Sequence, residues 1–536
     1  MSLFIMLLRL VGGWLILATA ASLVSGFSNA SLLAVINHSL LSDQNELTRA
    51  AVQFTLLAIL MLSTRVLAET LFMWLGQKVK AILRKQVINH VSETAWSRLE
   101  KTGMSKAVSI LTQDLDTLVV FFVSLPNLLI YGAAIAGCLI YLGTLSWQVL
   151  CLALVILGLG AMGYHRAHGR ALGLLRSSRQ REDKLIAQCK TLFDGGREFR
   201  LNPLRRRLFV DGRLSQNIEA VRVERTRGYV LYGMAKSWGS VLFFAFIGMV
   251  LYLLRGYLGL DSAVMTGYTM IFLYMIVPVE GVLSALPTLA SARIALQRVM
   301  QLQADLPAEK VEPLGSTPRL EQLELVDIQY EYQGEEGERF TLGPLNLRIK
   351  QGECLFVVGG NGSGKTTLAN LLVGIYPPDS GEIRLNGVAV SDEQREIYRQ
   401  HFAVVFNDFF LFDDVVLAEQ RSEPEVNRLL CLLKLDHKIT FAAGRFSTTA
   451  LSQGQRKRLA LVQAWLENRP FYLFDEWAAD QDPGFKAVFY NVLLPMLQAE
   501  GKTILAITHD DRYFHLADRV VKLESGKIVA DDQRRA

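Results

Sequence analysis

The sequence CLFVVGGNGSGKTT, from Cys354 to Thr367, decides the fold of the second half of the chain. An apolar strand leads into the pattern GxxxxGK(S/T), and a helical run follows. In such a loop the backbone N–H groups surround phosphate oxygens, the lysine reaches the β- and γ-phosphates, and the hydroxyl binds Mg²⁺. This segment therefore predicts a nucleotide-binding α/β domain. The predicted loop residues are Gly359, Gly360, Asn361, Gly362, Ser363, Gly364, Lys365, Thr366 and Thr367.

Two carboxylates, Asp475 and Glu476, end a second apolar strand in the sequence PFYLFDE. Asp475 is suited to a magnesium contact, and Glu476 to polarising the water that attacks a phosphate. An apolar run that ends in Asp-Glu is common, and alone it would indicate a solvent-exposed strand end. Together with the upstream phosphate loop it indicates a second nucleotide motif.

A further motif, LSQGQ at 451–455, precedes a helical run from Arg456 to Glu467. A serine and a glycine at a helix N terminus form an anion-binding site. A third apolar strand, from Thr503 to Thr508, ends at His509. The imidazole is well placed there to sense a γ-phosphate.

The first 300 residues have a different pattern, which accounts for a composition that is 51% hydrophobic and yet 20% charged. A bilayer core needs about 20 apolar residues of helix. We predict six spans, and we expect the first to be retained because it is too long for a signal peptide and more spans follow. The spans lie at about 10–36, 51–75, 117–142, 147–164, 229–254 and 264–289.

The connections between these spans differ strongly in charge. Segment 76–116 carries seven Lys or Arg residues and segment 164–228 carries sixteen, whereas the other three connections carry at most one each. Basic loops remain in the cytoplasm, so both long loops and both termini are expected there. We predict that the spanning helices continue into these loops, with turns at Thr102-Gly103 and at Asp194-Gly195-Gly196.

The remaining composition excludes several classes of site. A net charge of +5 is too small to indicate a nucleic-acid-binding protein. Five cysteines lie far apart without a CxxC pair, which argues against a disulfide framework and a zinc site. We predict a multi-domain protein: an all-α six-helix transmembrane domain at 1–300, a polar linker at 301–318 and an α/β P-loop domain at 319–536.

The order of these motifs resembles the ATP-binding cassette (ABC) family, and with six preceding spans the resemblance covers essentially the whole chain. The matching features are the phosphate loop, LSQGQ, the Asp-Glu strand end, Asp482-Pro483 and Thr508-His509-Asp510. The segment from Thr102 to Asp114 resembles the first intracellular loop of exporters of this family.

The resemblance implies roles for residues that spacing does not identify. Tyr332 corresponds to the aromatic residue that stacks on adenine, Asp482 to the aspartate of the loop that crosses the dimer interface, and His509 to the switch histidine. In the signature motif, Ser452, Gly454 and Gln455 are retained, and Ser452 and Gly454 correspond to residues that contact the γ-phosphate of ATP held by the opposite subunit.

Several positions depart from the common family pattern. Gln453 replaces the first glycine of LSGGQ, and Asn407 stands where the family has the glutamine that links nucleotide to membrane domain. Asparagine would bind magnesium or a water with a shorter reach. Only 43 residues separate Asn407 from Leu451, so the helical subdomain is short. The short subdomain and the sequence WAADQDP at 477–483 resemble exporters of cyclic peptides and siderophore precursors in Gram-negative bacteria, such as those for pyoverdine and syringomycin.

The resemblance implies a homodimeric half-transporter of the bacterial inner membrane that exports a peptide-like substrate. Two ATP molecules, with Mg²⁺, would lie between the phosphate loop of one subunit and LSQGQ of the other. A lipid flippase shares every motif quoted. An importer is disfavoured because its membrane and ATPase domains usually lie on separate chains. A non-transporting ATPase fits if Gln453 and Asn407 abolish turnover.

Ionisable residues within the spans indicate further contacts. Arg65 and Glu69 lie one helical turn apart, which predicts an ion pair, and Glu280 follows Pro278 in the last span. A binding cavity for amphipathic peptides would combine aromatic walls with a few polar anchors. The alternative is aromatic residues that face lipid or pack internally. The candidates are Trp238, Phe243, Phe244, Phe246, Tyr268, Phe272, Tyr274 and Glu280.

Overall fold

The computed structural model describes residues 12–40, 44–102, 104–254, 261–307, 309, 318–333, 339–414, 422–479 and 481–533. The chain divides into two compact units. The first comprises Met1–Val87 and Val108–Leu302, and the second Ile88–Ala107 and Gln303–Ala536. Half of the predicted linker at 301–318, residues 308 and 310–317, lies outside the described residues. The first five linker residues instead belong to the last helix of the first half, which ends at Asp305.

The first unit is built from long helices, six of which are long and apolar enough to span a membrane. The six predicted spans are therefore confirmed as helices, although they continue well beyond the lipid core. The helices, in chain order, are α1 Gly13–Ser39, α2 Gln44–Ser92, α3 Trp96–Thr102, α4 Met104–Ser109, α5 Leu115–Leu145, α6 Trp147–Asp194, α7 Gly196–Leu201, α8 Pro203–Arg207, α9 Ser215–Gly248 and α10 Ser262–Asp305. Short π-helical turns at Ile110–Asp114, Leu208–Leu214 and Met249–Leu254 adjoin α4, α8 and α9.

The helical form follows from the solvent, because lipid offers no partner to a backbone N–H or C=O. Polar side chains in α1 are satisfied in the same way. The hydroxyls of Thr19 and Ser22 donate to backbone carbonyls four residues earlier, at 2.8 and 2.9 Å. These bonds allow serine and threonine to lie in an apolar span without an unpaired donor.

Small residues set the approach of α1 to α5. A Cβ at Gly26 would lie 2.3 Å from the carbonyl oxygen of Ile130, and a Cβ at Gly137 would lie 2.6 Å from Cβ of Ala30. Close backbone packing of this kind drives helix association in lipid, where the hydrophobic effect is missing. Larger side chains at either glycine would force α1 and α5 apart.

Two further predictions for the first unit agree with the structure. Nε of Arg65 donates to the Glu69 carboxylate at 3.0 Å, which confirms the predicted ion pair. The chain also turns at Gly195, where α6 ends and α7 begins. In the other long loop α3 ends at Thr102, and Gly103 of the predicted turn lies outside the described residues. Because α2 already ends at Ser92, this loop also contains a helix break that was not predicted.

The segment Ile88–Ala107 belongs to the second unit rather than to the membrane half to which the predicted boundaries assign it. The reason is a set of polar contacts. The amide of Glu309 donates to the carbonyl of Glu93 at 2.7 Å. The hydroxyl of Tyr376 donates to the Glu100 carboxylate at 2.6 Å. Burial, together with this hydrogen bond, raises the pKa of Tyr376 well above its ordinary value.

The second unit is an α/β domain with two main sheets, which confirms the predicted fold class. A four-stranded antiparallel sheet has the order β2-β1-β4-β5, and a six-stranded sheet has the order β12-β11-β3-β10-β9-β6. In the six-stranded sheet all neighbours are parallel except the edge pair β11 and β12. The strands are β1 Gln322–Gln333, β2 Arg339–Lys350, β3 Cys354–Val358, β4 Ser380–Leu385, β5 Val388–Ala389, β6 Phe402–Val405, β7 Phe441–Ala442, β8 Arg445–Phe446, β9 Phe471–Asp475, β10 Thr503–Ile507, β11 Arg519–Glu524 and β12 Lys527–Gln533.

Helices complete this unit around two apolar cores. Strands β9 and β10 are buried along their whole length, as continuous apolar runs in a covered parallel sheet should be. Because β3, β9 and β10 are parallel, their carboxyl ends meet at one edge of the sheet, where ligands bind in open α/β folds. The helices are α11 Lys365–Leu372, α12 Arg395–Arg399, α13 Glu423–Leu432, α14 Gln453–Leu466, α15 Pro483–Val488 and α16 Leu494–Ala499.

Candidate functional site

The loop after β3 has the backbone that a phosphate-binding loop requires. Gly364 has φ of +100° immediately before α11, and a Cβ there would lie 2.6 Å from Leu342. A Cβ at Gly359 would lie 2.2 Å from the carbonyl oxygen of Leu523. Only glycine fits these two positions. The loop therefore leads directly into the N terminus of α11, where free N–H groups and the helix dipole favour an anion.

Lys365 lies inside this loop rather than in solvent. It is only 5% exposed, and its ammonium donates to the carbonyls of Gly359 and Gly360 at 3.0 Å each. The same ammonium is 3.7 Å from the Glu476 carboxylate. The hydroxyl of Ser363 is buried without a hydrogen-bond partner among the described residues. A phosphate group in this loop would therefore meet the positive charge of Lys365 and the hydroxyl donor of Ser363.

The residues that would hold Mg²⁺ are Thr366 and Asp475. The hydroxyl of Thr366 donates to Oδ2 of Asp475 at 3.0 Å, which joins the start of α11 to the end of β9. Oδ1 of Asp475 is buried and has no hydrogen-bond partner within the described part of the chain. Burial raises the pKa of Asp475, although the Thr366 hydrogen bond opposes this. A buried carboxylate oxygen with a free lone pair fits a hard cation that prefers oxygen ligands.

Glu476 and His509 lie close together, where the chain leaves β9 and β10. Nε2 of His509 lies 3.1 Å from Oε1 of Glu476. Glu476 has φ of +51°, in the left-handed region, where a non-glycine residue costs about 1–3 kcal/mol. Its amide donates to the carbonyl of Ile507 and its own carbonyl accepts from Ala479. A strained backbone at a carboxylate beside the phosphate loop is consistent with the role expected of Glu476.

The signature motif forms the N terminus of α14. Ser452 is the N-cap, and its side chain accepts from the backbone of Gln455 while the Gln455 side chain accepts from the amide of Ser452. This capping box satisfies two of the otherwise free donors at the helix start. The carbonyl of Gly454 accepts from Nε2 of Gln481 at 3.1 Å. The motif therefore lies at a helix end, as predicted.

The comparisons with known proteins agree with this geometry. Residues 342–479 match the ABC transporter family, and residues 9–169 match the ABC transporter transmembrane region. The ATP-binding protein SyrD of Pseudomonas syringae pv. syringae is 32% identical over 534 residues, which cover 97% of this chain and 94% of SyrD. The chain belongs to the ABC transporter family.

Other relatives of this transporter have varied names. An ATP-dependent lipid A-core flippase of Vibrio vulnificus is 25% identical over 85% of the transporter and 80% of the flippase. The Mycobactin import ATP-binding/permease protein IrtB of Mycolicibacterium thermoresistibile is 28% identical over 57% of the transporter and 53% of IrtB.

The fold of the transporter is that of a bacterial Atm1-family ABC exporter solved with ATP bound. The TM-score is 0.75 at 16% identity, covering 98% of the transporter and 95% of that chain. The transporter is thus a half-transporter with an exporter-type fold, and it is a multi-pass membrane protein that couples ATP hydrolysis to transport.

Two residues assigned through the family resemblance lie at the edges of the site. Tyr332 is half exposed near the end of β1 and is paired with Phe340 of β2. Asp482 is the N-cap of α15, where its carboxylate accepts from the amides of Gly484 and Phe485 at 3.0 and 3.2 Å. Their predicted contacts with adenine and with a second subunit stay predictions, as does the role of Gln455.

Asn407 has a partner that the sequence did not suggest. Its Oδ1 accepts from the ammonium of Lys457 at 3.1 Å. Lys457 lies in α14 within the run Arg456-Lys457-Arg458, which looks like a solvated basic face, yet it is buried. The only signal in the sequence was helical spacing, since Lys457 lies three residues before Ala460 and four before Leu461, both of which are buried.

A second site lies in the membrane unit, in a cavity of about 380 Å³ between α5, α6, α9 and α10. Phe243, Phe272 and Glu280 line it, as predicted, and the hydroxyl of Ser240 donates to the Glu280 carboxylate at 3.2 Å. The other candidates lie elsewhere. Phe246 and Tyr268 are buried in the helix core, and Trp238 and Phe244 are exposed. Tyr131, Tyr164 and Tyr232 line the cavity and were not predicted.

Proposed function

We propose that this half-transporter works as a homodimer in the bacterial inner membrane, with both termini in the cytoplasm, and exports a peptide-like substrate such as a cyclic peptide or a siderophore precursor. The observation that carries this proposal is the cavity in the membrane unit. Its walls are largely aromatic and aliphatic, and its polar groups are few: Glu280, Ser240, Ser284 and three tyrosines.

The chemistry of this cavity favours an amphipathic substrate over a small ion or sugar. Apolar walls bury the aromatic and aliphatic side chains of a peptide, and a few fixed polar groups orient its amides and hydroxyls. The tyrosines offer a flat ring and a hydroxyl in the same residue. A volume of about 380 Å³ accommodates several side chains rather than a whole cyclic peptide, so we expect two copies of the chain to enclose the substrate together.

The homodimer is supported by the position of the signature motif. Ser452 and Gly454 lie at the start of α14 and Ser452 is exposed; a helix N terminus also has N–H groups without intrahelical partners. A second copy of the chain would bring its phosphate loop to this helix end, so that each ATP lies between two subunits. Both sites of a homodimer contain Glu476, and both are then competent for hydrolysis. Mg²⁺ held by Thr366 and Asp475 would neutralise phosphate charge.

The experiment uses the purified transporter in liposomes, with ATPase activity measured alone and with cyclic lipopeptides. We expect peptides to stimulate hydrolysis and Glu280→Ala to lower the ratio of stimulated to basal rate. Adjacent phenylalanines provide a matched pair. Phe243 lines the cavity whereas Phe244 is 58% exposed, so Phe243→Ala should lower the ratio and Phe244→Ala should not. Equal stimulation of the wild type and Glu280→Ala would remove Glu280 from the substrate site.

Lipid transport is the second candidate, and the relative named as a lipid A-core flippase favours it. The same liposome assay separates the two functions. Stimulation by phospholipids or lipopolysaccharide, without stimulation by any peptide, would replace the peptide class with lipid. An ATPase that neither group stimulates would favour the non-transporting alternative.

A further inference from the structure

A buried lysine stands at the centre of the ATPase unit. Lys457 is 1% exposed, although lysine rarely lies in a protein interior. Burial of an ammonium carries a large desolvation cost unless hydrogen bonds or opposite charges compensate. A protein that keeps a lysine at such a position uses its donors for something that an apolar side chain would not provide.

The ammonium of Lys457 bridges two loops of the nucleotide site. It donates to Oδ1 of Asn407, at 3.1 Å, in the loop that follows β6. It also donates to the backbone carbonyl of Glu476, at 3.3 Å, directly after β9. One side chain of α14 therefore touches the position of the family's glutamine and the backbone of the proposed catalytic glutamate.

A second hydrogen bond joins α14 to the segment after β9, this time with the donor on that segment. Nε1 of Trp477 donates to the backbone carbonyl of Lys457 at 2.6 Å. Trp477 is 1% exposed and stacks on Phe489 with 4.5 Å between ring centroids. Its ring therefore cannot turn away without leaving the core. Lys457 and the dipeptide Glu476-Trp477 are fixed to each other by two bonds, one from each side chain to the other's backbone.

This double connection acts on a backbone that needs support. Glu476 has φ of +51°, a conformation that a glutamate adopts only when its surroundings impose it. The bond from Lys457, together with the bond from the Ala479 amide to the same carbonyl, fixes the orientation of the peptide group that follows Glu476. With the backbone held in this way, the Glu476 carboxylate lies 3.1 Å from Nε2 of His509 and 3.7 Å from the Lys365 ammonium.

We propose that Lys457 is a positioning residue for ATP hydrolysis: its ammonium holds the Glu476 backbone in the left-handed conformation that directs the carboxylate to the phosphate loop. This inference rests on the proposed role of Glu476 in polarising water. Lys457 acts through the backbone of Glu476. Removing it should therefore slow the chemical step and leave nucleotide binding intact.

The test compares kcat, KM for ATP and the Kd of trinitrophenyl-ATP for the full-length transporter in liposomes. Lys457→Met keeps the length of the side chain and removes its donors. We expect kcat to fall about 10- to 100-fold, since a displacement of a catalytic group by about 1 Å costs on that order. KM and Kd should stay within about twofold of wild type, because Lys365 and the phosphate loop are unchanged. Lys457→Arg, which keeps a cation and several donors, should recover most of the loss.

A double variant distinguishes this proposal from failure of the proposed catalytic role. In a Glu476→Gln background, Lys457→Met should slow hydrolysis no further, because residues that act as a unit are not additive. If Glu476→Gln hydrolyses ATP at the wild-type rate, the role of Glu476 is wrong. If Glu476→Gln is inactive and Lys457→Met keeps the wild-type kcat, only the present inference is wrong.

Two further variants control for folding. Lys527→Met, at an exposed lysine of β12, should behave as wild type. If Lys457→Met does not fold, Trp477→Phe keeps a smaller aromatic ring in the core and removes the donor to the Lys457 carbonyl. We expect Trp477→Phe to lower kcat several-fold with unchanged Kd, and an unchanged kcat or an equal loss of binding in a folded Trp477→Phe would overturn the proposal.

Discussion

The nucleotide site and the membrane cavity are built in different ways. In the nucleotide site a few short motifs supply most of the residues, and each motif follows directly after a strand or begins a helix. The cavity takes its residues from four helices, α5, α6, α9 and α10, so its lining extends from Tyr131 to Ser284 in the chain. Backbone geometry therefore determines the nucleotide site, whereas side-chain packing between helices determines the cavity. We therefore expect a single substitution to abolish the function of the nucleotide site but only to alter that of the cavity.

The strongest test of this contrast is Glu476→Gln. Loss of the carboxylate should slow ATP hydrolysis by about 10²- to 10⁴-fold, the usual contribution of a general base, while ATP still binds and holds the dimer closed. Steady-state hydrolysis and the chromatographic size of the ATP-bound protein measure the two effects. Hydrolysis at the wild-type rate would remove Glu476 as the base.

Lys365→Ala should affect binding rather than chemistry. It removes a buried ammonium whose charge-assisted bonds to phosphate are each worth about 1.5–3 kcal/mol, so we expect the Kd for ATP to rise by a factor of about 10–100. The matched control is Lys350→Ala, at an exposed lysine that ends β2. Equal ATP affinity in Lys365→Ala and wild type would show that the loop assignment is wrong.

Substitutions in the cavity should have smaller effects than those in the nucleotide site. The smallest available change is Gly281→Ala. A Cβ at Gly281 would lie 2.4 Å from the ring of Tyr131, and both residues line the cavity. Overpacking of this kind costs about 1–3 kcal/mol, so peptide stimulation should require about fivefold or more peptide. The peptide concentration for half-maximal stimulation measures this. A complete loss of function would mean that the cavity is as sensitive to one residue as the nucleotide site.

Gln453→Gly should have the smallest effect of all. The capping box of α14 uses the side chains of Ser452 and Gln455, and Gln453 is exposed. A glycine in the first turn of a helix costs less than about 1 kcal/mol, so the ATPase rate should stay within about twofold of wild type. A large loss of rate would show that the Gln453 side chain has a specific role in the dimer. The signature motif would then depend on a side chain at this position and not on backbone geometry, unlike the phosphate loop.

The residues of the nucleotide site could be predicted from local sequence signals, whereas many of the cavity residues could not. Asp475 and His509 were predicted because each stands at the end of an apolar strand pattern, which is a local signal in the sequence. Of the predicted cavity residues, Phe246 and Tyr268 proved to be core and Trp238 and Phe244 exposed. All four lie within predicted spans. Which face of a helix each residue occupies is decided by its neighbours.

The sequence by itself determined the six spanning helices, the α/β class of the ATPase unit and the family. Each depends on local rules: lipid requires internal hydrogen bonds, and a glycine-rich loop between strand and helix surrounds phosphate. Only the tertiary structure decided that Ile88–Ala107 packs with the ATPase unit and that Lys457 is buried against Asn407 and Glu476. Lys457 is 19 residues from Glu476 and 50 residues from Asn407 in the sequence. Pairing at such separations depends on how whole elements pack, which no local pattern records.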